Sequence, residues 1–66
     1  MNVKVETAAE ALIEIDERIE QVKAEMDRAL SGREYQELLD TKVDLLRERQ
    51  EAVERLEELG LEDPDL

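Results

Sequence analysis

The sequence predicts an all-α protein: two amphipathic helices folded into an antiparallel, coiled-coil-like hairpin, completed to a four-helix bundle by a second copy. Three observations carry this expectation. Apolar residues recur in both halves at alternating steps of three and four, the period of a helix face. A new helix-start signature interrupts the chain at Ser31. Tyr35 is the only aromatic residue, so any core must be aliphatic, as in coiled coils and long helices.

The elements follow in chain order. Met1 to Glu6, with alternating Val3 and Val5, reads as an N-terminal arm, either extended or frayed helix. Thr7-Ala8-Ala9-Glu10 fits a capping box, in which a hydroxyl and a glutamate reciprocally satisfy backbone N–H groups at a helix start. The first helix is expected from about Ala8 to Leu30, roughly 34 Å at 1.5 Å per residue. Its apolar positions, Val5, Ala8, Leu12, Ile15, Ile19, Val22, Met26 and Ala29, form one narrow seam suited to one facing helix.

Ser31-Gly32-Arg33-Glu34 is a second capping box, with Leu30 and Tyr35 at the hydrophobic-staple positions. A hairpin turn at Ser31-Gly32 is therefore favoured over one continuous helix. The first seam, if continued, would place Arg33, Asp40 and Arg47 where leucines belong; only a phase slip would rescue it.

The second helix, about 33–59, carries a wider stripe. Leu38, Leu45, Ala52 and Leu59 form one lane, and Leu39, Leu46 and Val53 the next. Tyr35, Val43 and Leu56 broaden it enough to touch more than one neighbour. Lys42 and Arg49 fall along its edge, where their stems can cover apolar surface while their charges stay in water. Gln50 borders the same stripe, as a register-setting polar residue or an exposed rim position. Leu59-Gly60-Leu61 reads as the stop, with Gly60 left-handed and Leu61 folding back. Residues 61–66 then form a short acidic tail.

Size and composition narrow the functions. A 66-residue chain buries little surface, and such domains usually need disulfides, a metal or association. Cysteine and histidine are both absent. That removes disulfides, thiolate and imidazole metal sites, and the usual general base near neutral pH. Association remains.

Twenty acidic residues against nine basic ones leave a net charge of −11. Such a chain should be repelled by nucleic acid and anionic membranes. No apolar run suits a membrane span or a leader peptide, so cytoplasmic residence is expected. No cofactor and no small-molecule substrate is implied.

Glu14 with Glu17, and Glu37 with Asp40, have the spacing by which some helical pyrophosphohydrolases hold magnesium. So acidic a chain produces these spacings by chance, and no phosphate-binding cation cluster or nucleophile constellation accompanies them. The sequence is read as non-enzymatic, with no catalytic or metal residues. Pairs at i,i+4, namely Glu14–Arg18, Lys23–Asp27, Arg47–Glu51 and Glu51–Arg55, are expected to support exposed faces.

Charge is uneven. Residues 1–33 hold eight acids and five bases (−3), and residues 34–66 twelve acids and four bases (−8). Glu57, Glu58, Glu62, Asp63 and Asp65 end the chain without a base among them, against the preference of a helix C-terminus for cations. This acidic end reads either as a solubilising terminus or as a dock for a basic partner.

The layout resembles the plasmid-copy-number Rop proteins, with a helical hairpin, a tight turn and an acidic tail, which dimerise into a four-helix bundle. There is no residue-by-residue match, and the basic and aromatic face of an RNA binder is missing. From Glu34-Tyr35 onward the chain resembles the second coil arm of Gre-type transcript-cleavage factors. Their acidic tip is replaced here by Leu30-Ser31-Gly32-Arg33. Neither resemblance transfers a site.

Two functions are carried forward. One is a protein–protein interaction or oligomerisation module, a homodimer or higher, with Tyr35, Leu38, Leu39, Val43, Leu45, Leu46, Ala52, Val53, Leu56 and Leu59 as its interaction residues. The other is a small acidic inhibitor or adaptor, of the kind a phage encodes, filling a basic groove of a host protein as a nucleic-acid mimic.

Overall fold

The computed structural model describes residues 3–62, which form two helices: α1 (Val3–Asp27) and α2 (Gly32–Glu62). They pack side by side as a hairpin 50 Å long and 16 by 11 Å across. α1 is rich in Ala and Glu, and α2 in Leu, Glu and Arg, residues that lose little side-chain freedom in a helix.

The seven predicted seam positions that fall on α1, Val5 to Met26, are buried or half-buried, as the spacing predicts, and Ala29 lies half-buried just past its end. The core centres on Ile19, Val22 and Leu45, with Ile15, Met26 and Leu38 packed against it. At the open end Ala8 and Leu59 are also buried. Leu45 is the most enclosed of these, at 3% exposure. No large side chain among the described residues is completely enclosed, so the core is thin.

The turn is built by Ser31. Its Oγ accepts from the Glu34 N–H at 3.1 Å, and its carbonyl accepts from the Tyr35 N–H at 3.0 Å, the first turn of α2. Glu34 reaches back, as a capping box requires, but its carboxylate takes the N–H of Leu30 at 3.3 Å rather than that of the cap. The expected staple does not form: Leu30 is 96% exposed and cannot pack on Tyr35.

The helix limits differ from the sequence reading at three ends. α1 begins at Val3, so described residues of the expected arm are helical. Thr7 lies inside it, its hydroxyl donating to the Val3 carbonyl at 2.9 Å instead of capping. The reason is packing: Val5 and Ala8 continue the seam and hold the upstream turn against α2. α1 stops at Asp27, before Leu30, where Arg28 and Ala29 donate to the carbonyls three residues back, at 3.1 and 3.2 Å. This tighter winding ends an α-helix.

α2 runs through Gly60 to Glu62, and no described glycine has a positive φ, so Gly60 is not a left-handed cap. Burial of Leu59 holds the last turn in helical form despite the glycine. Leu61 and Glu62, expected to leave the helix as a fold-back and the start of the tail, continue it instead, and residues 63–66 of the expected tail lie outside the described residues.

Candidate functional site

The candidate site is a face of the hairpin left uncovered by the contact between α1 and α2. On α2 the positions turned toward α1 are Leu38, Lys42, Leu45, Arg49, Ala52, Leu56 and Leu59, at steps of four and three. All are at least half-buried except Arg49. Lys42 and Arg49 thus stand within the seam rather than along its edge. Arg49 escapes sideways: its Nε donates to Asp16 Oδ1 at 2.7 Å, both side chains remaining about half exposed.

This division sorts the ten interaction residues. Leu38, Leu45, Ala52, Leu56 and Leu59 are taken up by α1. Leu39 and Val53 are half-buried, while Tyr35, Val43 and Leu46 keep 46%, 48% and 45% of their surface exposed. Leu39, Val43, Leu46, Gln50 and Val53 again alternate by four and three, one residue past the seam.

One residue is about 100° of helix rotation. Because the helices run in opposite directions, the residue one step past each seam position falls on the same broad face of the hairpin. On α1 those positions are Ala9, Ile13, Asp16, Glu20, Lys23 and Asp27. The Asp16–Arg49 bridge lies on this face, as does a shallow groove between Glu20, Lys23 and Asp27 on α1 and Tyr35 and Lys42 on α2. On the opposite face Val3, Lys4, Thr7 and Ala11 meet Arg55 across a mostly apolar groove floored by Ala8 and Ala52.

Two features of the face escaped the sequence reading. Ile13 is exposed beside the seam of α1, so that helix is less one-sided than eight regular positions suggest. The Asp16–Arg49 contact was also missed. Its signal was present, because Arg49 occupies a seam position where a long cation must lean toward one flank.

The remaining charges are local. Among the described residues the ion pairs are Asp16–Arg49, Lys23–Glu20 at 3.4 Å and Arg33–Glu37 at 3.5 Å. None of the four expected i,i+4 pairs is closed; Lys23 turns one step back to Glu20 instead of forward to Asp27. Gln50 donates to Glu54 at 3.3 Å on the exposed rim.

The two carboxylate pairs considered for magnesium do not converge. Glu14 and Glu17 lie in the middle of α1, whereas Glu37 and Asp40 lie near the turn, in the first three turns of α2. Glu37 is engaged by Arg33, and Asp40 accepts from Gln36 at 3.1 Å. Among the described residues no three Asp or Glu side chains gather as a metal site.

Glu57 and Glu58 of the acidic end are exposed. Glu62 is the last helical residue described, and Asp63 and Asp65 lie outside the described residues. No helix among the described residues is long and apolar enough to cross a membrane. Comparison with protein-family models, curated proteins and solved structures finds no match to this chain.

Proposed function

We propose that this chain is a non-enzymatic oligomerisation module whose hairpins pair through the open face of α2 to make a four-helix bundle. The observation that carries this reading is the row of Leu39, Val43, Leu46 and Val53, apolar and at seam spacing, left outside the hairpin contact. Fully burying a Val or Leu side chain contributes roughly 1.5–3 kcal/mol. Several such residues on so small a chain favour a covered face over a wet one. The thin core points the same way, since domains of this size rarely stabilise themselves.

A thermal melt followed across a range of protein concentrations tests it. Association that stabilises only the folded chain makes the midpoint rise with concentration. A midpoint independent of concentration, with a fully helical chain, contradicts the reading.

A second reading has its own observation. Glu37, Asp44, Glu51 and Glu58 line α2 at heptad spacing, all exposed, and its last turn holds no base. An acidic adaptor for a basic groove would use that edge. Pull-down from lysate at low and high salt separates the two: capture of basic proteins that fades as salt rises supports the adaptor. A bound protein retained unchanged at high salt argues for apolar docking instead.

A further inference from the structure

We infer that pairing through the open face is opposed by charge at that face, so that added salt closes the dimer where it would loosen an ion-paired one. This rests on the oligomerisation reading above, holds for any arrangement of the two copies, and adds the regulation of that contact.

The row of Leu39, Val43, Leu46 and Val53 does not lie on a neutral surface. Four residues past Val53 the same row arrives at Glu57, and on α1 the face carries Asp16, Glu20 and Asp27. Its cations are already engaged or withdrawn. Arg49 donates to Asp16 at 2.7 Å, Lys23 holds Glu20 at 3.4 Å, and Lys42 is half-buried in the seam. Asp27 and Glu57 are exposed and closed into no ion pair among the described residues. A second copy brings the same surface. The contact therefore gathers acids from both chains and offers them no free row of cations.

Magnitudes decide how far this repulsion reaches. Each chain carries −11 on a hairpin only 16 by 11 Å across. A net charge far from zero favours the monomer. The screening length is about 30 Å at 0.01 M salt, about 10 Å at 0.1 M and about 3 Å at 1 M. In dilute salt each hairpin thus repels its copy across its whole thickness. In concentrated salt only charges in contact still do so, and burial of the apolar row prevails.

Sedimentation equilibrium in about 0.02 M and about 0.5 M sodium chloride reads the effect. Chloride is used because sulfate strengthens apolar burial itself. The dissociation constant should fall roughly tenfold or more as salt rises. Circular dichroism at both salts restricts the comparison to folded chains.

Two double variants locate the repulsion. Asp27→Asn with Glu57→Gln removes two charges from the open face. Glu25→Gln with Glu48→Gln removes two from the opposite face, each lying one residue before a seam position. At low salt the first should dimerise roughly tenfold more tightly than the unmodified chain and respond less to salt, and the second should gain clearly less. Salt that weakens the unmodified dimer, or leaves it unchanged, overturns this inference and leaves the dimer standing. An equal gain from both variants also overturns it, by placing the repulsion in net charge rather than at the face. A helical chain that stays monomeric in the higher salt overturns the dimer reading itself.

Discussion

Ser31 and Leu45 show how much single residues decide in a molecule this small. Ser31 satisfies the start of α2 through both its hydroxyl and its carbonyl. Ser31→Ala removes the side-chain cap and should cost about 1 kcal/mol, read as a lowered denaturation midpoint with unchanged helicity at low temperature. Leu45 is the most enclosed large side chain. Leu45→Ala should cost roughly 2–4 kcal/mol, since the thin core around Ile19 and Val22 can close over only part of the space. A loss under about 1 kcal/mol would mean that the hairpin contact is looser than its burial implies. Arg49 is a different case. Its bridge to Asp16 is short, yet both groups are about half exposed, so a double-mutant cycle should return under about 1 kcal/mol.

At the scale of the elements, what repeats along the chain was legible and what happens once was less so. The seam of α1 can be read from spacing because each position is reinforced by neighbours three and four residues away. The hairpin itself was legible at Ser31, where cap and phase break coincide. Helix ends depend on contacts made elsewhere. Thr7 has the sequence of a cap, but Val5 and Ala8 gain more by continuing to pack on α2. Gly60 has the sequence of a stop, but Leu59 is buried and keeps the turn helical. Leu30 and Tyr35 have the spacing of a staple, and the tight winding at Arg28 and Ala29 leaves Leu30 exposed.

Gly60→Ala distinguishes the two readings of that end. In a helix, alanine should stabilise by roughly 0.5–1 kcal/mol, whereas at a left-handed cap it would destabilise. Chemical denaturation of the two chains decides the sign.

For the whole molecule, the broad stripe of α2 was visible in the sequence, but not which half of it α1 would take. That division depends on which positions of α2 pack on α1, and Leu38 and Leu45 do so in the core around Ile19 and Val22. It leaves one face with an apolar row on α2 beside Ile13 and charged residues on α1, and an opposite face that is largely charged away from the small alanine groove at the open end. The proposed dimer follows from this asymmetry. Replacing Leu46 with Glu places a charge at the centre of the proposed contact while sparing the α1 seam. It should yield a monomer that keeps much of its helicity and melts at a lower temperature.

The most direct test is sedimentation equilibrium of the unmodified chain through the micromolar range, beside Leu46→Glu. A dimer through this face should give a mass of twice 7.7 kDa for the unmodified chain, falling toward 7.7 kDa for the variant. A stable, helical species of 7.7 kDa at every concentration would contradict it.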